Sequence, residues 1–134
     1  MALKDNKKLP QKNRTFIESF RYAFEGVRTA FQEERNMRSH VFSTIIVIIL
    51  SYFLSLSLNE WLWILFACFA IIVMEILNTV VENIIDFVSP NYHPLAKKVK
   101  DMAAAAVLFT SFFSMITGGI ILVPKVLEVL KFYN

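Results

Sequence analysis

Hydrophobic residues near the start of the chain recur with helical spacing. From position 14 to 36 they stand three or four residues apart, at Phe16, Phe20, Phe24, Val27 and Phe31. Charged and polar residues occupy the positions that would lie on the opposite face of such a helix. This pattern predicts an amphipathic helix over 14–36, whose aromatic face suits the membrane interface. A soluble helix packed on a core is the alternative, but little other soluble sequence exists to form that core.

Three longer apolar stretches follow, and we predict a membrane span in each, over 41–58, 61–88 and 95–123. About 20 helical residues, at about 1.5 Å each, cross the hydrocarbon of a bilayer. Trp61 and Trp63 open the second span, as aromatic residues do at a membrane interface. Pro124 is expected to end the third span, since proline breaks helices. The pattern therefore predicts an all-α membrane protein with one N-terminal surface helix and three transmembrane helices.

Composition supports one small membrane domain. The chain has 134 residues, of which 56% are hydrophobic, with only three glycines and four prolines. We expect a flexible basic arm over 1–13 and a single domain over 14–134. Cys68 is the one cysteine. A single cysteine excludes a disulfide framework within the chain and a cysteine-based metal site.

Basic residues are distributed unevenly, and this predicts the topology. Nine of the 14 lysines and arginines precede Val41. A nucleic-acid arm would also be basic, but this one leads into a bilayer-length apolar run, so contact with anionic headgroups explains it better. Lysines are also dense in the loop before the third span and absent from the first connection. By the positive-inside rule the N-terminus is cytoplasmic and the C-terminus outside, with Lys125 and Lys131 as weak counter-signals.

The second span carries polar residues that a membrane helix rarely holds. At about 100° per residue, Glu75, Asn78, Glu82 and Asp86 occupy one face about 80° wide. We call these four residues the acidic stripe. A charged carboxylate near the bilayer centre costs at least about 2.5 kcal/mol, so such residues usually serve a function. The stripe should run from within the membrane to the cytoplasmic surface.

Clustered carboxylates need a positive partner, and Mg²⁺ with phosphate oxygens suits them. Lys100 opens the next helix at the same level, and Glu33 and Glu34 close the surface helix there. Carboxylates, Mg²⁺ and a lysine are the components of phosphoryl transfer, although the sequence has no P-loop. Structural roles stay open: interhelical hydrogen bonds for the upper stripe residues, headgroup-level ion pairs for the lower ones, and topology signals for the lysines.

Two long segments resemble the prokaryotic diacylglycerol kinase family of small integral-membrane lipid kinases. They are "EILNTVVENIIDFVSPNYHPLAKKVKDMAAAAVL" and "SFRYAFEGVRTAFQEERNMRSH", and the resemblance covers about Arg14 to Leu122. It implies a homotrimer of three-span subunits in the plasma membrane of a bacterium. It also implies ATP and Mg²⁺ as cofactors and a lipid alcohol as substrate.

The resemblance also implies roles for particular residues. Glu75 would be the catalytic base, Asn78 would lie near the transfer centre, and Lys100 would face the polyphosphate. Glu34 and Glu82 would bind Mg²⁺ with ATP. Further nucleotide contacts would come from Tyr22, Asp86, Asn91, Tyr92, His93 and Asp101. The family's early arginine has no match in register, because Thr15 stands there beside Arg14.

The surface helix ends in "FQEERN", which resembles the members that phosphorylate undecaprenol. We therefore expect undecaprenol as substrate, with diacylglycerol as the alternative. From another class, a small ion-transport or structural subunit is the rival interpretation. An ion path would need acids throughout the bilayer, but the stretches 41–58, 61–74 and 102–123 contain none.

Overall fold

The computed structural model describes residues 15–132, and helices form all the regular secondary structure of this part of the chain. Its four helices are α1 (Phe16–Glu33), α2 (Arg35–Phe53), α3 (Leu58–Val88) and α4 (Pro94–Phe132). Helices α2, α3 and α4 are each long and apolar enough to cross a membrane. The all-α class and the three spans are therefore confirmed. The predicted basic arm and Arg14 lie outside the described residues.

Two capping boxes fix the starts of α1 and α3. The Thr15 hydroxyl accepts a hydrogen bond from the Glu18 amide, and the Glu18 carboxylate accepts one from the Thr15 amide. Ser57 and Glu60 repeat the arrangement before α3, with 2.7 Å between the Ser57 nitrogen and Glu60 Oε2. Each box satisfies helix-terminal amides that would otherwise lack partners. The second box explains why α3 begins three residues before the predicted 61.

The first connection is a tight turn that shortens the first predicted span. Helix α2 ends at Phe53, five residues before the predicted 58. Ser55 has a φ of 50°, the left-handed region that non-glycine residues seldom adopt. The prediction of 58 was wrong because the apolar residues of the turn, such as Leu56, continue the hydrophobic run. Leu56 is buried, so its hydrophobicity reflects packing of the turn.

Helices α1 and α2 meet at one non-helical residue, Glu34, with φ −102° and ψ 124°. We call this break the Glu34 elbow. It ends the surface helix three residues before the predicted 36, and α2 begins six residues before the predicted 41. The apolar pattern could not reveal it, because the polar residues on either side still form helix.

Helix α4 does not end at Pro124, and that prediction was wrong. The helix continues through the proline to Phe132. Proline removes only its own amide bond to the residue four before it, and membrane helices tolerate such losses. Beyond it, Lys125 Nζ lies 3.6 Å from Glu60 Oε2 at the start of α3. This ion pair attaches the continued helix to the first turn of α3.

Helix α3 packs between α2 and α4 and carries much of the core. Its buried apolar residues, Ile64, Ala67 and Ile71, lie along one face. The Ser114 hydroxyl of α4 donates a 3.0 Å hydrogen bond to the Ala67 carbonyl oxygen. The same face continues into Glu75, so the packing that builds the core also fixes the acidic stripe.

Candidate active site

The acidic stripe passes from the interior of the chain to its surface. Glu75 is 1% exposed and Asn78 is 8% exposed, whereas Glu82 is half-buried and Asp86 is exposed. The carbonyl of Glu75 also accepts a 3.0 Å hydrogen bond from the Thr79 hydroxyl. The predicted face of α3 is therefore polar and buried at its upper end and open at its lower end.

Buried polar atoms without partners mark the upper end of the stripe. Neither carboxylate oxygen of Glu75 nor the side-chain oxygen of Asn78 has a hydrogen-bond partner among the described residues. The Asn78 amide nitrogen donates a 3.2 Å hydrogen bond to Glu82 Oε1. Buried polar atoms are nearly always paired, so exceptions of this kind point to a missing ligand or a reactive group. Packing alone does not explain three such atoms one turn apart.

Carboxylates from two segments converge on Glu75. Glu34 and Glu82 lie close enough for their charges to repel a charge on Glu75. Glu34 reaches this position from the elbow, where its side chain makes no capping bond to α2. The predicted base and both predicted metal ligands therefore share one neighbourhood.

Within residues 15–132, no cluster of three or more acidic, histidine or cysteine side chains has the geometry of a complete metal site. Magnesium does not require one, because it usually keeps several waters and binds one or two carboxylates together with phosphate oxygens. Glu34 and Glu82, with oxygen donors beside unpartnered buried atoms, fit this mode of binding.

A cavity of about 450 Å³ opens where α3 meets α4. Six residues predicted for the nucleotide line it: Asp86, Asn91, Tyr92, His93, Lys100 and Asp101. Proline residues at both ends of the loop and the bond from the Leu95 amide to His93 Nδ1, 3.2 Å long, shape its outer wall. The lysines of its lining could bind phosphate oxygens, and the carboxylates of Asp86 and Asp101 lie beside them.

Two ion pairs lie in the lining of this cavity. Lys100 Nζ lies 2.6 Å from Asp86 Oδ1, which bridges α4 to α3. Lys97 pairs with Asp101 along α4. Lys100 is therefore held at the stripe by Asp86 before any phosphate reaches it.

Tyr22 is the predicted nucleotide residue that lies apart from this cavity. It sits on α1, where Arg21 Nη2 donates a 3.4 Å hydrogen bond to its hydroxyl. The Arg21 guanidinium carbon is 5.1 Å from the Tyr22 ring centroid. Thr15, at the position of the family's early arginine, is the N-cap of the same helix.

Sequence reasoning missed two residues that connect to the site. Asn83 Nδ2 donates a 3.3 Å hydrogen bond to Glu33 Oε2, and Arg38 Nη1 donates to the carbonyl oxygens of Phe31 and Gln32. Asn83 and Glu33 are 50 residues apart along the chain. No local pattern could have paired them.

Comparisons with known proteins agree with this geometry. The sequence model of the family "Prokaryotic diacylglycerol kinase" matches residues 21–122. A protein from Synechocystis sp., named diacylglycerol kinase, is 38% identical over 113 residues, which cover 84% of this chain and 65% of that protein. The chain thus spans slightly less than two thirds of that relative.

Two further relatives align with this chain over a larger share of their own length. The undecaprenol kinase of Bacillus subtilis is 36% identical over 110 residues, which are 82% of this chain and 89% of that protein. The diacylglycerol kinase of Escherichia coli K12 is 26% identical over 106 residues, which are 79% and 87% of the two chains. The matched residues 21–122 include every member of the acidic stripe, Glu34 and Lys100. With its three membrane-length helices, this chain is a bacterial membrane protein, and it belongs to the prokaryotic diacylglycerol kinase family.

Proposed function

We propose that this chain transfers the γ-phosphoryl group of ATP to undecaprenol at the cytoplasmic face of the membrane, giving undecaprenyl phosphate. Phosphorylation of a membrane lipid alcohol is the activity shared by the names of the family and of its relatives. One observation carries its assignment to a site. The buried, unpartnered carboxylate of Glu75 lies beside two further carboxylates and on the same helix as the α3–α4 cavity.

Glu75 is placed to remove a proton. As the lipid oxygen bonds to phosphorus, the hydroxyl proton passes to a Glu75 oxygen, and ADP leaves with the bridging oxygen and its electrons. Because the transition state of phosphoryl transfer is loose, the proton needs to leave the hydroxyl only late in the reaction. Glu75 is buried from water, and such surroundings would favour the lipid hydroxyl over water as the acceptor.

Glu34 and Glu82 would hold Mg²⁺ together with the nucleotide phosphates. A bound Mg²⁺ would supply positive charge to the phosphate oxygens, as such ions do in phosphoryl transfer. Asn78 orients Glu82 through its 3.2 Å hydrogen bond. The pairing fixes one carboxylate oxygen and leaves the other free for the metal.

The α3–α4 cavity would receive the nucleotide. Lys100 would exchange Asp86 for a phosphate oxygen when ATP binds, and Asp86 would then be free to contact the sugar or base. Tyr92 is 81% exposed and beside the cavity, so its ring is available to cover the nucleotide. Tyr22 would join this site only from a neighbouring subunit or after movement of α1.

We further infer a homotrimer in which α1 lies at the membrane interface. Phe16, Phe20 and Phe24 on α1 are each more than 70% exposed. An amphipathic helix of this kind lies with its aromatic residues among lipid headgroups and acyl chains. Large apolar side chains also stand exposed along α4, as lipid or subunit contacts require. From the lysines near the α3–α4 loop and the positive-inside rule, we infer that this end of the molecule and the N-terminus face the cytoplasm.

The lipid is identified by phosphate transfer to defined alcohols. Purified protein is incubated in mixed micelles with γ-labelled ATP, Mg²⁺ and equal amounts of undecaprenol and diacylglycerol, and the lipids are separated by chromatography. We expect label mainly in undecaprenyl phosphate. Label mainly in phosphatidic acid would replace undecaprenol with diacylglycerol. No label in either lipid would contradict the kinase proposal and favour a transport or structural role.

Loss of the Lys100 charge is expected to weaken ATP use. A hydrogen bond to a charged group contributes about 1.5–3 kcal/mol, so Lys100→Met should lower kcat/KM for ATP roughly 10- to 150-fold. Lys98→Met is the matched control, because Lys98 is exposed and lies outside the cavity. Steady-state kinetics at saturating lipid measure both. Equal kcat/KM values for the two variants would remove Lys100 from the site.

A further inference from the structure

The Glu34 elbow is held by side chains from two other parts of the chain. Arg38 Nη1 of α2 lies 3.4 Å from the Phe31 carbonyl oxygen and 3.0 Å from that of Gln32. From α3, Asn83 Nδ2 lies 3.3 Å from Glu33 Oε2. The Arg38 contacts join the end of α1 to the start of α2, and the Asn83 contact joins the end of α1 to α3.

Burial of Ala30 and Met37 packs the two sides of the elbow, and the side-chain hydrogen bonds add to this packing. Positions 30–38 contain neither glycine nor proline, so backbone chemistry does not impose the bend. The last carbonyl groups of α1 lack partners within their own helix, and a guanidinium is well suited to bind them. Glu34 makes no side-chain cap on α2. The direction in which Glu34 projects therefore depends on neighbouring side chains.

Both contacts act next to the proposed metal ligands. Glu33 precedes Glu34 in the chain, and Asn83 follows Glu82. This hydrogen bond therefore links the end of α1, which precedes Glu34, to the turn of α3 that carries Glu82. Arg38 binds the last turn of α1 from α2, at the carbonyl oxygens of residues 31 and 32. Neither residue needs to touch metal or nucleotide to have this effect.

We propose that Arg38 and Asn83 are positioning residues that hold Glu34 opposite Glu82, so that one divalent ion can bind both carboxylates with the nucleotide. The proposal rests on the proposed function, in which these two glutamates bind Mg²⁺. It differs from a purely structural role in one respect. A structural role would reduce the amount of active protein, whereas positioning changes the affinity for the metal.

Metal affinity can be measured without turnover. Mn²⁺ replaces Mg²⁺, a non-hydrolysable ATP analogue replaces ATP, and the free Mn²⁺ signal in electron paramagnetic resonance gives the dissociation constant. We expect the affinity of Arg38→Ala to fall roughly 10-fold and that of Asn83→Ala roughly 3-fold, as for loss of one or two hydrogen bonds. Arg38→Lys should lie between Arg38→Ala and the wild type. Asn83→Asp, which puts a second negative charge against Glu33, should fall below Asn83→Ala.

The matched control is Arg28→Ala. Arg28 is an exposed arginine of α1, and the described part of the chain gives it no hydrogen-bond or ion-pair partner. It removes the same charge from the same region, so we expect its Mn²⁺ affinity to equal that of the wild type. An equal loss in Arg28→Ala and Arg38→Ala would show that net charge alone acts, and would overturn the positioning role.

Hydrogen exchange of the elbow in the absence of metal provides the second readout. The Glu34 amide bonds to the Ala30 carbonyl oxygen at 3.0 Å, and Arg38→Ala should speed exchange in the segment 30–36. Unchanged Mn²⁺ affinity in folded Arg38→Ala and Asn83→Ala would overturn the proposal, even if exchange at the elbow rose. If Arg38→Ala does not fold, the exposed Asn83 variants still decide. Wild-type protein that binds no Mn²⁺ with nucleotide would instead contradict the proposed function itself.

Discussion

Replacing Glu75 with glutamine is expected to lower phosphate transfer to the lipid roughly 10²- to 10⁴-fold, the usual contribution of a general base. Glutamine preserves the size of the side chain and can occupy the same buried space, but it cannot accept the hydroxyl proton. The two Glu75 oxygens have no partner among the described residues, so the substitution breaks no hydrogen bond seen in the fold. Affinity for Mn²⁺ with nucleotide should change little, because Glu34 and Glu82 remain.

The control for this variant is Glu128→Gln. Glu128 is exposed near the end of α4, far along that helix from Lys100, and its loss should leave transfer unchanged. Circular dichroism and size-exclusion chromatography show whether each variant keeps its fold and assembly. Normal turnover by folded Glu75→Gln would exclude Glu75 as the base and leave the cluster with a structural role.

Replacing Glu82 with glutamine is expected to raise the Mg²⁺ concentration for half-maximal activity about tenfold or more. One charged ligand of two would be lost, and charge-assisted contacts of this kind contribute about 1.5–3 kcal/mol. Glu34→Gln should behave in the same way, because both carboxylates serve the same ion. High Mg²⁺ should restore much of the rate in both variants. It should not restore the rate of Glu75→Gln, whose defect lies in proton transfer.

Titration of activity with Mg²⁺ at saturating ATP and lipid separates these cases. Glu25→Gln is the control on α1, because Glu25 is exposed and pairs with Arg21 at 3.7 Å, outside the carboxylate cluster. An unchanged Mg²⁺ dependence in both Glu34→Gln and Glu82→Gln would move the metal away from this pair. A defect that no Mg²⁺ concentration relieves would assign the glutamates to the chemical step.

Combining the site with the core on one face of α3 has a physical consequence. Ile64, Ala67 and Ile71 pack the helix against its neighbours, and Glu75 follows one turn later on the same face. The apolar residues hold the helix rigidly, and that rigidity positions a carboxylate which accepts no hydrogen bond from residues 15–132. Packing therefore positions Glu75 itself, whereas polar contacts hold Glu82 and Lys100, through Asn78 and Asp86 respectively.

The periodicity of the sequence predicted the parts of this fold that depend on burial. Helical spacing placed Glu75, Asn78 and Glu82 on one face, and the structure confirms their common orientation by their burial and by the bond from Asn78 to Glu82. The charge of Glu75 inside an apolar run signalled function because burying it is unfavourable. Membership of the family is likewise confirmed. These signals are local, and a single helix carries them.

Features made by contacts distant in sequence could not be predicted in this way. At the Glu34 elbow, Arg38 binds carbonyl groups of α1 and Asn83 contacts Glu33 from α3. The turn at Ser55 is hidden in an apolar run, because its buried Leu56 looks like part of a span. Pro124 predicts a helix end, but α4 continues through it, and Lys125 beyond it pairs with Glu60. In each case tertiary contacts override the local preference.

The central claim is that Glu34 and Glu82 bind a divalent ion together with the nucleotide. Oxidation of the protein by radicals formed at the bound metal tests this claim most directly. Fe²⁺ replaces Mg²⁺ in the presence of the ATP analogue, peroxide and ascorbate generate radicals at the bound ion, and mass spectrometry locates the damaged residues. The account predicts nucleotide-dependent damage at the Glu34 elbow and around Glu82, with little in the stretch 41–53 or beyond Gly118. Damage confined to other segments, or identical with and without nucleotide, would contradict it.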